Sequence, residues 1–242
     1  MKFLAAHGEP VRAATLSREL GLPRSSTYQL IAVMQDEGFI VHFPEDQTYA
    51  LSASLGELAA GSASLTRLER MVNPLLATLA KRTGLPVVAH ASVLTGSDVV
   101  YAATHRAPRA PKPVNQIGVR LPAHLTASGR ALLAYVSEPQ LRATYPDDAM
   151  VLRRAGYGPS SLRELRSMLR EIRDRGWASS DAEIESNYTT VAAAALDRSD
   201  RPAAAVALTF RDSAVDRDNI EHLARGVCRS AAALGMRFKG RI

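Results

Sequence analysis

A run of hydrogen-bonding side chains lies near the start of this 242-residue chain, directly after a Gly-Leu-Pro break at 21–23. Six consecutive residues form the run: Arg24, Ser25, Ser26, Thr27, Tyr28 and Gln29. The pattern predicts a helix that begins at Pro23, with Ser25 or Ser26 as its cap. Such a helix can direct its first side chains and N–H groups at phosphates and base edges in the major groove of DNA.

Each residue of this run also has a structural alternative. Ser25 or Ser26 could act only as the cap, Thr27 could pack inside, and Tyr28 could be partly buried. The pattern favours packing for Thr27. Contact with DNA is favoured for the arginine, which suits phosphate or guanine, and for the glutamine, which suits adenine.

The elements around the run predict a winged helix-turn-helix. Residues 2–7 indicate the end of one helix, and Leu16 and Leu20 lie four apart on one face of the next, which ends at a glycine. The run then continues into an inward apolar stripe: Leu30, Ile31 and Met34. FIVHF at 39–43 and TYAL at 48–51 are typical of a two-stranded ribbon.

Charge does not explain DNA binding by this segment. The chain carries a net charge of +6, but residues 1–55 hold four basic and six acidic side chains, a net charge of −2. On the ribbon, His42 and Gln47 could contact the minor groove or the DNA backbone. Glu45 and Asp46 beside them oppose that contact. We therefore expect specific binding to rely on pairing of two copies, which doubles the contacts at each site.

The remaining chain predicts a connecting helical segment and a larger α+β domain. Apolar residues recur at helical spacing in the connecting segment: Leu65, Leu68, Val72, Leu75, Leu76 and Leu79. Pro74 predicts a kink or two abutting helices there. From Leu85 onward, strands and helices mix without a regular βαβ repeat, which favours an antiparallel sheet. The predicted boundaries are 1–55 for the first domain, 56–84 for the linker helices and 85–242 for the second domain.

Several segments occur together in a specific order. They are LSRELGLPRSSTYQLIAVMQDEGFIV at 16–41, GVRLPAHLTASGRALLA at 118–134, RDRGWASSDAEIE at 173–185, the VAAAAL strand and the closing ALG. With these segments the chain resembles the IclR family of bacterial transcriptional regulators. The resemblance implies an N-terminal winged helix-turn-helix, a linker helix and a C-terminal effector-binding domain like the GAF and profilin-like folds. It also implies a homodimer or a dimer of dimers that binds double-stranded operator DNA and a small organic-acid effector.

The resemblance also implies an effector pocket made of eight residues: Ala127, Ser128, Gly129, Asp181, Tyr188, Thr190, Ala207 and Thr209. Ser128 and Gly129 would offer N–H groups near a helix start to a carboxylate. Thr190 and Thr209 would add hydroxyl groups, so an organic acid with an apolar body suits the set. Asp181 would repel an acid, so it would bind a ligand hydroxyl or amine, or only hold the turn. Ordinary sheet and cap roles are the alternative for each residue.

Two positions depart from the family pattern. Arg130 stands where the family prefers lysine, so it keeps the charge but not the shape. Ser186-Asn187-Tyr188 stands where the family usually has Pro-Gly, and asparagine tolerates the left-handed conformation that the turn needs. Tyr188 is expected to narrow the pocket. The basic loop 105–113 could close over the pocket or lie in solvent.

The sequence argues against other classes of function. The chain has no nucleophile elbow, no P-loop and no dinucleotide-binding glycine motif, so we expect no enzymatic activity. Its six histidines are scattered and its single cysteine, Cys228, predicts a buried or inert thiol, so we expect no cofactor and no metal site. No stretch resembles a membrane span or a signal peptide, which favours a cytoplasmic protein. The alternative to a regulator is a small-molecule sensor whose DNA-binding half is degenerate.

Overall fold

The computed structural model describes residues 2–7, 9–110, 117–151, 158–181 and 187–240, with the backbone alone at 2, 5–6, 53–64, 181 and 217–218. The chain divides into two compact units, residues 1–65 and 66–242. The first unit contains the helix-turn-helix, and the second contains the mixed helix and sheet structure.

The first unit combines three helices with a small antiparallel wing. Its elements are α1 (Lys2–His7), β1 (Val11–Arg12), α2 (Ala13–Leu20), α3 (Arg24–Asp36), β2 (Ile40–Phe43) and β3 (Thr48–Leu51). The expected ribbon is present, since β2 pairs with β3. Within the described residues a short third strand extends it, in the order β1-β3-β2. In β1, Val11 pairs with Tyr49 and Arg12 with Thr48. Two residues are too few to show the alternation of a strand in the sequence.

A tight turn between α2 and α3 forms the helix-turn-helix. Gly21 ends α2 in the left-handed conformation, with φ 64°, which glycine adopts without strain. Leu16 of α2 and Ile31 of α3 are buried together with Tyr49 of the wing. Leu30, expected in the same inward stripe, is 44% exposed. Neighbouring helical positions point about 100° apart, and only the Ile31 side of α3 faces the core.

The second unit is built on an antiparallel sheet that has six strands in the described part of the chain. The strands are β4 (Val88–Thr95), β5 (Asp98–Arg106), β6 (Arg120–Pro122), β7 (Ala178–Asp181), β8 (Tyr188–Leu196) and β9 (Pro202–Arg211). Its helices are α5 (Ala127–Leu133), α6 (Glu138–Thr144), α7 (Leu162–Arg175) and α8 (Arg217–Phe238), together with the second part of α4 (Ala53–Thr83), which begins in the first unit. The strand order is β6-β5-β4-β9-β8-β7, which confirms the predicted α+β fold with an antiparallel sheet.

The helix α4 runs from Ala53 to Thr83 as one element, with Pro74 inside it. Two abutting helices, one of the two expectations at Pro74, are therefore wrong. Proline removes one backbone hydrogen bond from a helix. One turn after the proline, Thr78 Oγ1 donates to the Pro74 carbonyl at 2.8 Å.

Helices cover both faces of the large sheet. α5 and α7 share a buried cluster with alanines of β7, β8 and β9, so they lie on one face. α8 packs on β8 and β9 outside that cluster, so it covers the opposite face. There, Gly235 lies against the backbone of Leu196, and Arg237 donates to the carbonyl of Met71 in α4.

The start of α5 lies unusually close to a 3₁₀ turn at Ala123–Leu125. A side chain at Gly129 would overlap the backbone of Ala123, so only glycine fits there. Thr126 caps the helix, because its Oγ1 accepts a hydrogen bond from Gly129 N–H at 3.0 Å. The close approach buries Ser128 almost completely.

Replacing Gly129 with alanine should destabilise the second unit by about 3 kcal/mol or more, because the new Cβ would meet backbone that cannot move aside. Urea unfolding measures the change. Gly226→Ala in α8 is the matched control: its Cβ would meet only side-chain ends, Leu79 Cδ1 at 3.4 Å and Arg229 Nη2 at 3.9 Å. Alanine is also the better helix former, so stability there should stay or rise by up to about 1 kcal/mol. Equal effects of the two substitutions would contradict the close approach.

Candidate functional site

The exposed surface of α3 carries most of the predicted DNA contacts. Five of the six predicted residues are exposed: Arg24, Ser25, Ser26, Tyr28 and Gln29. Pro23 occupies the cap position and no side chain caps the helix. The alternative in which Ser25 or Ser26 serves only as the cap is therefore wrong. The exposed face is available to a polar partner.

Thr27 corrects the predicted set of DNA contacts. Its side chain is 2% exposed, and its Oγ1 donates to the Pro23 carbonyl at 3.0 Å. Thr27 lies one turn before Ile31, on the inward face of α3. A hydroxyl held in this way packs the start of the helix and does not reach a base.

The wing offers less to DNA than the sequence suggests. His42 is half-buried, its ring stacks on Tyr49 with centroids 4.7 Å apart, and its Nε2 is buried. Gln47 donates from Nε2 to the Pro44 carbonyl at 2.9 Å and so closes the turn of the wing. Both side chains therefore stabilise the wing itself, and the geometry does not support a DNA contact at His42.

One exposed apolar residue of α3 is missing from the sequence-based set. Val33 is 59% exposed and lies four residues after Gln29, on the same face of the helix. A small apolar group at this place can contact the methyl group of thymine. The spacing from Gln29 is the only signal in the sequence, and an apolar residue in a helix is otherwise assigned to the core.

The predicted effector residues on the strands share one face of the large sheet. Thr190 lies opposite Thr209, and Ala192 lies opposite Ala207. Ala127 of α5 belongs to the same buried cluster as Ala192 and Ala207. The structure therefore brings Ala127, Thr190, Ala207 and Thr209 to one face, beneath α5.

A chain of hydrogen bonds crosses three strands on this face. Thr190 Oγ1 lies 2.9 Å from Thr209 Oγ1, and Thr209 Oγ1 lies 2.9 Å from His90 Nε2. His90 belongs to β4, lies opposite Ala207 and is 0% exposed. In the sequence alone, His90 is one of six scattered histidines. Its inward position in the strand VVAHASVL is the signal that could identify it.

Burial determines the charge of this polar chain. It lowers the pKa of His90 to about 4, so the imidazole is neutral at pH 7. The ring of Tyr101 lies 5.1 Å from that of His90, and burial raises the pKa of its hydroxyl. These two rings therefore act through hydrogen bonds and packing rather than through charge.

The start of α5 corrects the predicted carboxylate site. The N–H of Gly129 already donates to Thr126 Oγ1, so it is not free for a carboxylate. Ser128 is 1% exposed, and its Oγ has no hydrogen-bond partner among the described residues. At the start of α5 the unbonded side-chain group is thus the hydroxyl of Ser128, while Gly129 serves the packing of the helix.

The turn before β8 has the conformation expected from the sequence. Asn187 has φ 67°, in the left-handed region. Tyr188 is half-buried, and the guanidinium of Arg211 lies 5.7 Å from the centre of its ring. Asp181 ends β7 opposite Thr189, but its side chain lies outside the described residues, as do residues 111–113 of the predicted closing loop.

Arg130 joins α5 to the edge of the sheet. It is 2% exposed, and it donates from Nε to the His124 carbonyl at 2.8 Å and from Nη1 to the Ser179 carbonyl at 3.2 Å. Because the guanidinium is a rigid fork, it reaches two acceptors at once, which lysine does less well. Arginine at this position, where the family prefers lysine, therefore ties α5 to two separate carbonyl groups.

Three further expectations from the sequence concern the cysteine, a metal site and a membrane-spanning helix. Burial raises the pKa of the Cys228 thiol, whose Sγ lies 3.6 Å from the Gly176 carbonyl, so the thiol is protonated at pH 7. In the described part of the chain, no three histidine, cysteine or acidic side chains are grouped to hold a metal ion. Within the same residues, no helix combines the length and the apolar character that crossing a bilayer requires.

Two family models match this chain. The model described as "Bacterial transcriptional regulator IclR C-terminal" matches residues 61–235, and the "IclR helix-turn-helix domain" matches residues 1–42. The chain belongs to the IclR family of bacterial transcriptional regulators. Members of this family combine a helix-turn-helix with a C-terminal ligand-binding domain.

Individual relatives agree with this assignment. The HTH-type transcriptional regulator XynR of Escherichia coli is 28% identical over 230 residues, which cover 93% of this chain and 88% of XynR. The repressor BlcR of Agobacterium tumefaciens has a crystal structure with a TM-score of 0.63 and 25% identity, over 98% of this chain and 93% of that one. An IclR homolog of Microbacterium hydrocarbonoxydans, solved in complex with 4-hydroxybenzoate, has a TM-score of 0.66 and 19% identity, over 95% and 91% of the two chains.

The neutral state of His90 predicts that acid destabilises the second unit. Between pH 6.5 and about 4 this histidine is protonated in the unfolded chain but not in the folded chain. The free energy of unfolding therefore decreases as the pH is lowered through this range. The stability associated with the neutral His90 is complete above pH 6.5. It is lost as the pH falls to about 4, and the total loss is on the order of 3 kcal/mol. Urea unfolding at steps from pH 7 to 4.5 measures it.

Two variants isolate this contribution from the rest of the acid response. His90→Leu should lose less stability than the wild type over the same pH range. His222→Leu, at an exposed position of α8, should lose as much as the wild type. Identical pH dependence in the wild type and His90→Leu would show that His90 takes up its proton in the folded state.

Proposed function

We propose that this protein is a sequence-specific DNA-binding regulator whose C-terminal unit senses a small organic acid. The observation that carries the proposal is that one chain of the IclR family has an exposed polar surface on α3 and a buried polar face on the sheet beneath α5. The first surface would contact operator DNA, and the second would hold the effector.

The DNA contacts are proposed for the exposed residues at the start of α3: Arg24, Ser25, Ser26, Tyr28 and Gln29. The first turns of a recognition helix are the part that meets base edges in the major groove. The net charge of −2 on residues 1–55 makes attraction to phosphates weak. A homodimer or a dimer of dimers would compensate, because it doubles the contacts at a palindromic site.

The effector is proposed to be a small organic acid. The residues proposed to surround it are Ala127, Ser128, Tyr188, Thr190, Ala207 and Thr209. Hydroxyl groups and an aromatic ring around small apolar side chains suit a carboxylate with an apolar body. The Microbacterium homolog is complexed with 4-hydroxybenzoate, an acid of this kind, and the Agobacterium relative is a repressor. We therefore propose a repressor or dual regulator of a catabolic operon, which acts in the cytoplasm and has no enzymatic activity of its own.

The regulatory step is proposed to change the geometry of the two DNA-reading units in a dimer. Half-sites on DNA have a fixed spacing, so a small rotation between the reading units would change the affinity for the operator. The helix α4 belongs to both units of the chain, and is therefore the covalent path by which ligand binding would affect DNA binding.

A small-molecule sensor with a degenerate DNA-binding half is the second candidate. The acidic balance of residues 1–55 favours it, because most DNA-binding units carry a positive surface. Binding to the DNA upstream of the protein's own gene or of a neighbouring gene separates the two candidates.

Replacing Arg24 with alanine should weaken binding to such upstream DNA by about tenfold or more, because it removes a charge-assisted contact at the start of the recognition helix. A mobility-shift titration measures the affinity. Circular dichroism should show an intact fold, since the side chain of Arg24 is exposed.

Arg142→Ala provides the matched control. Arg142 is 69% exposed on α6 of the second unit, and its replacement removes the same charge from the chain without touching α3. Its affinity should stay within about twofold of the wild type. Unchanged binding by Arg24→Ala would overturn the recognition-helix assignment, and absence of sequence preference in the wild type would favour the degenerate sensor.

A further inference from the structure

His90 has one ring nitrogen bonded and the other buried without a bond. Nε2 lies 2.9 Å from Thr209 Oγ1, whereas Nδ1 has no hydrogen-bond partner within the described residues. The side chain is 0% exposed, so bulk solvent does not reach it. Buried polar atoms are nearly always bonded, and an exception inside a candidate ligand site points to a bond that the ligand completes.

A β-bulge brings further polar side chains to the same side of the sheet as His90. Thr104 lies opposite His90 and Tyr101 lies opposite Ser92, with Ala102 as the extra residue of β5. Because side chains alternate along a strand, residues three apart share a face only where such an extra residue intervenes. Ser92 Oγ and Thr104 Oγ1 likewise have no hydrogen-bond partner in the part of the chain that the structure describes.

The neighbouring strands supply no partner for His90 Nδ1. The residue opposite His90 on β9 is Ala207, and the residue opposite Ala207 on β8 is Ala192. Alanine has no polar atom in its side chain. The one polar side chain of β9 that does reach the histidine, Thr209, binds Nε2 instead.

The hydrogen bonds of Thr209 determine whether Nδ1 of His90 is a donor or an acceptor. Thr209 has a single hydroxyl proton and two neighbours, Thr190 and His90. If Thr209 donates to Nε2, then Nδ1 carries the ring proton and donates. If Nε2 donates to Thr209, then Nδ1 presents a lone pair and accepts. A hydroxyl group satisfies both arrangements, because it can accept or donate.

We propose that the effector carries a hydroxyl group in addition to its carboxylate, and that His90 selects it through a hydrogen bond to Nδ1. This inference rests on the proposed function, because it specifies the ligand class of the same site. The carboxylate is not the group bound at His90. Burial lowers the pKa of His90 to about 4 and keeps the ring neutral, so it offers no ionic attraction to an acid at pH 7.

Isothermal titration calorimetry of the full chain with matched acids tests the proposal. Each comparison differs by one hydroxyl group: benzoate with 2-, 3- and 4-hydroxybenzoate, and butyrate with 3- and 4-hydroxybutyrate. At least one hydroxylated acid should bind about tenfold or more tightly than its parent. A site built to bond a hydroxyl rejects the analogue that leaves its buried polar group unbonded.

Two variants connect this preference to His90. His90→Leu removes the nitrogen, and Thr209→Val keeps the shape of threonine but removes the hydroxyl that holds Nε2. Both should reduce the preference to about threefold or less, by weakening the hydroxylated acid more than its parent. Thr189→Val is the matched control, because Thr189 points to the opposite face, where its Oγ1 donates to Asp212 at 2.7 Å. The preference should persist in this control.

The outcomes separate the inference from the proposed function. If no acid of either kind binds, the proposed organic-acid effector fails and the inference fails with it. If the acids bind but the hydroxyl makes no difference, the proposed function stands and the role of His90 is overturned. A preference that persists in Thr209→Val and His90→Leu also overturns that role. Thr209→Val decides the question alone if His90→Leu does not fold.

Discussion

The ligand-binding unit depends on the close approach of a short helix to a sheet of small side chains. α5 lies near its 3₁₀ turn because Gly129 leaves room for the backbone of Ala123, and alanines such as Ala192 and Ala207 lie beneath it. Water is excluded from this face, so each polar group needs a partner in the protein or in a ligand. Arg130 satisfies this demand at one edge. At the centre, the hydrogen-bonded chain across β8, β9 and β4 satisfies Thr190, Thr209 and one nitrogen of His90. The other nitrogen of His90 has no partner among the described residues.

The DNA-reading unit works under a different constraint, because its net charge is negative. General attraction to phosphates is the main source of non-specific DNA binding. A unit with little of that attraction depends on the hydrogen bonds and apolar contacts of α3, where Arg24, Gln29 and Val33 are exposed. In the proposed regulator, such contacts would favour discrimination between sequences over total affinity.

Local patterns predict much of this structure, and distant pairings account for what they miss. Helical spacing, the turn at Gly21 and the short inward strands are local, and they predict the helix-turn-helix and the antiparallel α+β fold. The pairing of residues 11–12 with β3 depends on a strand that follows much later. The role of His90 becomes visible only in the fold, where Thr209, 119 residues further along the chain, lies beside it. The role of Thr27 cannot be read from the sequence for another reason. A threonine in the first turn of a helix is compatible both with packing in the core and with contact to DNA.

The β-bulge at Ala102 makes the polar face of β5 dependent on strand register. The side chains of β5 alternate in opposite phase before and after the extra residue, because the period of a strand is two. Deleting Ala102 would leave Tyr101 and Thr104 two positions apart in a regular strand, so both would still face the same side. Straightening the bulge at constant length would instead shift the pairing beyond it by one residue and place these two side chains on opposite faces. A slip of one residue, rather than a point substitution, would therefore exchange the side chains that this part of the sheet presents to a small molecule.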